Sequence, residues 1–141
     1  MTWEVLHAGG GAGLDYCPRG RMYHSAVSFA GSLYIYGGCR SMSFTSSDES
    51  LCEFFEFQLE AREWRPVEVR GTPPARCGHI ALVFNDMMVV VDGDYTRQLA
   101  EPNALQLFNF ATGAWTSVSA GVADTIARSS HEPRYDQSAC V

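Results

Sequence analysis

Apolar residues in this chain come in short runs cut by turn-forming residues, and no run keeps helical spacing over three turns. His24 to Phe29 is the first such run. Ala30-Gly31-Ser32 breaks it, Leu33-Tyr34-Ile35-Tyr36 resumes it, and Gly37-Gly38 stops it. Two apolar runs across a break of this kind predict a β-hairpin. A polar loop, Cys39 to Ser50, leads to the aromatic run Phe54-Phe55-Glu56-Phe57 and to a tight reversal at Glu60-Ala61-Arg62-Glu63. Trp64 then opens a fourth strand toward Val67 and Val69. Short apolar runs bounded by such breakers suit strands covered on both faces, so the pattern predicts an all-β fold.

The same order returns further on. Arg21-Met22-Tyr23-His24-Ser25-Ala26-Val27-Ser28-Phe29 recurs as Arg76-Cys77-Gly78-His79-Ile80-Ala81-Leu82-Val83-Phe84, with Arg, His, Ala and Phe at one offset of about 55 residues. The second copy turns at Asn85-Asp86, runs through Met87 to Val91, and reaches Asp92-Gly93 where the first has two glycines. Its polar loop is Asp94 to Ala104, its third strand Leu105-Gln106-Leu107-Phe108, its reversal Ala111-Thr112-Gly113-Ala114, and Trp115 leads to Val118. A third copy starts at Arg134, with Gln137 in the histidine position. Repeats of this length point to a propeller or solenoid in which one repeat is one supersecondary unit.

Arg-x-x-His-x-Ala, a hairpin, a diglycine, a variable loop, an aromatic strand and a closing Trp together resemble the kelch repeat. The resemblance covers most of the chain, from Trp3 to Val141. It implies four-stranded antiparallel blades of an incomplete β-propeller. It also implies that the diglycine turns the chain where no side chain must intrude, and that Trp64 and Trp115 pack between blades. On this reading the blades span 21–70 and 76–119, residues 134–141 are the first strand of a third blade, and residues 1–6 are an outer strand of a preceding or closing blade. Trp3 lies 18 residues before Arg21 much as Trp115 lies 19 before Arg134. A closed ring takes at least about four blades. The chain is therefore expected either to be part of a longer propeller or to self-associate.

Composition narrows the partners. With 46% hydrophobic and 18% charged residues, a chain of 141 residues can bury a core. A net charge of −6 argues against a nucleic-acid groove or an anionic membrane surface, both of which reward clustered cations. Five cysteines form an odd set without a CxxC pair, no Asn-x-Ser/Thr occurs, and no apolar run is longer than Met87 to Val91, far shorter than a membrane span. These features lead to the expectation of a cytoplasmic protein with free thiols.

Local chemistry offers few catalytic leads. Gly9-Gly10-Gly11-Ala12-Gly13 lacks the Lys-Ser/Thr of a phosphate-binding loop. His24 and Ser25 are strand neighbours pointing to opposite faces, which rules out a nucleophile pair between them. His24 and His79 recur in register, as buried imidazoles bonded to backbone would. Cys77 and His79 share a face but make only half a metal site, and Asp92-Gly93-Asp94 reads as a turn. No catalytic residue, metal or cofactor is assigned.

Recognition is assigned to the loops instead. Arg40 in one variable loop, with Tyr95 and Arg97 in the other, are residue types favoured in binding hot spots. Arg21, Arg76 and Arg134 recur at the start of the innermost strand, where guanidiniums can capture a carboxylate or pair internally. The expected function is a protein-interaction scaffold, with an acidic segment as the partner's contact. The rivals are a kelch-like metal-dependent oxidase or lyase and a purely structural propeller fragment.

Overall fold

The computed structural model describes residues 4, 17–40, 50–71, 73–91, 93 and 105–118. They form two four-stranded antiparallel sheets, and no helix occurs among them. The first sheet runs in chain order β1 (Ser25–Phe29), β2 (Ser32–Tyr36), β3 (Phe54–Gln58) and β4 (Glu63–Pro66). The second repeats it with β5 (Ile80–Phe84), β6 (Met87–Val91), β7 (Leu105–Asn109) and β8 (Ala114–Val118). The strands follow the apolar runs of the sequence to within a residue or two at each end. Residues 1–3, 5 and 6, and the whole of 134–141, lie outside the described residues.

Turn chemistry fixes the register. Ala30 and Gly31 both take positive φ, 47° and 81°, the geometry whose twist matches the flanking strands of a two-residue hairpin. That turn pairs Phe29 with Ser32 and Ser25 with Tyr36. The β7–β8 reversal closes with a bond from Gly113 N–H to the Asn109 carbonyl at 2.8 Å, while Asn109 Oδ1 accepts from the amides of Ala111 and Thr112. Arg62, the counterpart of Gly113, closes the β3–β4 reversal in the same way at φ 57°.

Alternation along each strand then splits each sheet into two faces. Val27, Tyr34, Tyr36 and Phe54 of the first sheet meet Met88, Val90, Phe108 and Trp115 of the second, and the core lies between the two sheets. Aromatic rings dominate this joint. Phe29 stacks on Phe110 at 4.1 Å between centroids, Phe54 meets Phe108 edge-on at 4.9 Å, and Tyr36 meets Trp115 at 4.8 Å. Such pairs contribute about 0.5–1.5 kcal/mol each beyond the area they remove from water. Trp115 therefore sits between the sheets. Trp64 does not meet the second sheet: its ring partner among the described residues is Phe57 of its own sheet, at 4.9 Å.

Segment 67–79 ties the sheets together by backbone. Its Val67 N–H donates to the Phe54 carbonyl, Arg70 bridges Gly113 and Trp115, and Gly78 N–H donates to the Tyr23 carbonyl. The Tyr36 hydroxyl donates to the Pro74 carbonyl. The diglycine is packed into this seam. A Cβ on Gly37, at φ 65°, would lie 2.8 Å from Cε1 of His79, and one on Gly38, at φ 94°, would lie 2.8 Å from the Met22 carbonyl. Gly93 repeats the arrangement in the second sheet, where a Cβ would overlap backbone atoms of His79.

Candidate protein-interaction site

The variable loop of the first sheet leaves β2 through Gly37 and Gly38, and its two ends are pinned together. Gly37 N–H donates to the Glu53 carbonyl at 3.0 Å, Leu51 N–H to Gly38 at 2.8 Å, and Cys39 pairs with both Met22 and Ser50. This clamp places Glu53, just before β3, between two guanidiniums. Arg21 Nη2 reaches Glu53 Oε2 at 2.5 Å, and Arg40 Nη2 reaches Oε1 at 3.3 Å.

The two arginines differ in burial, and that decides what each can do. The Arg21 side chain is 4% exposed, donates a further bond to the Gly37 carbonyl at 3.1 Å, and lies over the Phe55 ring at 5.4 Å. It is committed to the fold. The Arg40 side chain is 48% exposed and makes the longer contact. Exposed pairs of that kind are worth about 0–1 kcal/mol, so Arg40 can exchange Glu53 for an outside carboxylate at little cost. Arg76 is 1% exposed. Its backbone carbonyl accepts from Gly38 N–H at 2.7 Å, its own N–H donates to Leu51, and its side chain is enclosed within the joint. Tyr95, Arg97 and Arg134 lie outside the described residues.

One polar pair in the joint has no counterpart in the sequence pattern. Ser25 Oγ and His79 Nε2 lie 2.8 Å apart, both buried. His79 is thus the buried imidazole of the repeat, but its partner is a side chain of the preceding sheet; His24, its counterpart, is exposed. No sequence signal links residues 25 and 79, because the second copy has Ile80 where the first has Ser25. Although the pair has the spacing of a hydroxyl and its base, no carboxylate is placed to orient the ring among the described residues, where His79 Nδ1 is buried without a side-chain partner. The pair joins the two sheets. Among the described residues, no group of three His, Cys, Asp or Glu side chains is placed to hold a metal ion.

This histidine should make stability pH-dependent. Burial holds its ring neutral, with a pKa lowered from 6.5 to about 3; the charges of Arg76 and His24 push the same way, and the Tyr36 backbone opposes them only in part. Above about pH 7 the ring is neutral folded or unfolded and contributes nothing to the pH dependence. Below its unfolded pKa of 6.5 the unfolded chain takes up a proton that the folded chain refuses until about pH 3. Stability is then lost at about 1.4 kcal/mol per pH unit as acid is added. The urea midpoint is expected to fall between pH 7 and 5 in the parent and to fall less steeply in His79→Gln. That variant keeps a polar partner for Ser25 and leaves only the smaller contribution of His24, whose pKa burial and Arg21 also lower. A parent midpoint constant over that range would mean that the ring protonates in place.

Comparison with known proteins agrees with this geometry. The KLHDC2/KLHL20/DRC7 Kelch-repeats domain matches residues 1–141. The chain belongs to the kelch-repeat family. Its two sheets are kelch blades, the first spanning β1–β4 and the second β5–β8. Kelch domains generally mediate protein interaction and are typically non-enzymatic. Among curated proteins, the chain is 29% identical to the flagellar outer-arm dynein alpha chain of Chlamydomonas reinhardtii over 117 residues, which is 82% of this chain and 2% of that protein. It is 26% identical to the putative protein tag-53 of Caenorhabditis elegans over 106 residues, 70% of this chain and 8% of that protein. The chain thus spans a small fraction of the length of the relatives it matches.

Proposed function

We propose that this chain is a protein-interaction module whose first-blade loop end takes an acidic segment of a partner protein through Arg40. The observation that supports the reading is the shared carboxylate: Glu53 lies between a buried Arg21 and a half-exposed Arg40. An incoming Asp or Glu that replaces Glu53 on Arg40 leaves Glu53 neutralised by Arg21, so no buried charge is stranded. Arg40 is then a preorganised fork for a carboxylate, with Arg21 as the residue that keeps the site from collapsing.

The test uses fluorescein-labelled peptides, one rich in Asp and Glu and one with the matching amides, titrated by anisotropy. The acidic peptide is expected to bind more tightly, and Arg40→Ala to weaken it by about fivefold or more, which is about 1 kcal/mol. The melting temperature should stay within a few degrees, as exposed changes usually leave stability alone. Equal affinity for both peptides, or for parent and variant, would remove the acidic segment from this site.

A further inference from the structure

Cys39 and Cys77 are each 2% exposed, and both carry thiols rather than a disulfide. The repeat requires neither: Asp94 stands at the position of Cys39 in the second copy, and Met22 at the position of Cys77 in the first. Cys39 leaves the first blade at the foot of its variable loop, and Cys77 enters the second blade just before β5. Backbone bonds knot the residues beside them. Gly38 N–H donates to the Arg76 carbonyl at 2.7 Å, Arg76 N–H to that of Leu51 at 3.1 Å, and Leu51 N–H to that of Gly38 at 2.8 Å. The three segments so joined bring residues 39, 50 and 77 to one place.

Side-chain positions follow from that knot. Cys39 exchanges both of its backbone bonds with Met22, so its antiparallel pairing with Ser50 is of the kind in which the two residues share no hydrogen bond. In such pairs the Cα atoms approach to about 4.5 Å and the side chains lie on one face. Ser50 Oγ in turn lies 3.4 Å from Cys77 Sγ. Both thiols therefore flank one hydroxyl. A disulfide needs its Cα atoms within about 7 Å of each other. The residues preceding the two cysteines, Gly38 and Arg76, are already joined by a hydrogen bond. Ser50 is only half-buried, so little chain has to part for a small oxidant to reach Cys77.

We propose that Cys39 and Cys77 form a redox clasp, which hydrogen peroxide closes into a disulfide tying the first blade's loop to the entry of the second blade. The Cys77 thiolate attacks a peroxide oxygen and becomes a sulfenic acid; the hydroxide that leaves takes up the thiol's proton as water. The Cys39 thiol then displaces the hydroxyl from that sulfur, and a second water departs. Two thiols and one peroxide become one disulfide and two waters, with two electrons passing from sulfur to oxygen. The bond crosslinks residues on different blades, so it restricts the unfolded chain and stabilises the joint.

Peptide mapping of the full chain, oxidised in native buffer, tests this. All ten Lys/Arg positions are arginine, and trypsin cutting after them leaves each of the five cysteines on its own peptide, Cys39 on 22–40 and Cys77 on 77–97. After peroxide treatment, quenching and alkylation, these two peptides are expected as one linked species, lighter than their sum by two hydrogens and released by a reductant. The urea midpoint of the oxidised parent should lie above that of the reduced parent. Cys39→Ser and Cys77→Ser should each lose both the linked species and the midpoint shift, with circular dichroism checking that they fold. The mapping itself needs only the parent. Cys39 and Cys77 both recovered in alkylated form after oxidation, a link that forms only in urea or between two chains, or a link from either cysteine to another thiol would overturn the clasp.

Discussion

Replacing Trp115, partly buried against the core, by alanine is expected to cost about 3 kcal/mol, the lower end of the range for emptying an aromatic site. Its ring lies at 4.8 Å from Tyr36, 5.7 Å from Phe54 and 5.2 Å from Phe108, so the cavity would open where rings of both blades meet. Those neighbours are themselves tied by hydrogen bonds and strand pairing, which limits collapse into the space. Trp64→Ala is the internal control. Trp64 occupies the same repeat position but contacts Phe57 of its own blade, and its loss should be the smaller of the two. Urea titration of both variants checks the difference; a loss below about 1 kcal/mol for Trp115→Ala would place the ring outside the joint.

Gly93→Ala should be comparably damaging by a different route. Gly93 holds φ 74°, which costs an L-residue about 1–2 kcal/mol, and the added methyl would overlap the backbone N and Cα of His79. Backbone cannot rotate away as a side-chain tip can. Relief requires β5 and β6 to part at the end where they meet, adding about 1–3 kcal/mol of packing strain. The total, roughly 2–5 kcal/mol, is expected as a lowered urea midpoint with little change in slope. A variant as stable as the parent would show that the β6 exit tolerates a side chain and that the glycine there answers no packing need.

Period and punctuation carried the fold into view. Short apolar runs, a Gly or Asn-Asp between them, and a closing Trp are local signals, and the strands lie where they point. Contacts that reach across the blades or over the variable loop were harder to read. Glu53 stands 32 residues from Arg21, and Ser25 stands 54 from His79. Neither pair recurs in the second copy, where Ala104 occupies the position of Glu53 and Ile80 that of Ser25, so the repeat that exposes everything else is silent about them. Burial of the recurring arginines was open for the same reason: Arg21 and Arg76 share a position in the repeat, yet one is held by a side-chain carboxylate and the other is enclosed in the joint. The position of Trp64 shows the reverse difficulty. A repeat predicts equal environments, and the first blade has no described blade before it to provide one.

The linker after β4 has a consequence for how such an array can grow. Arg70 pairs in parallel with Ala114: its N–H donates to the Gly113 carbonyl at 2.7 Å, and its carbonyl accepts from the Trp115 N–H at 3.2 Å. β8 is the last strand of its sheet, and a bare outer strand is a template for pairing with foreign chains. The segment arriving from the previous blade seals the first part of that edge. A blade without its incoming linker would leave that stretch of β8 as a raw edge, so sheet and linker act as one structural unit.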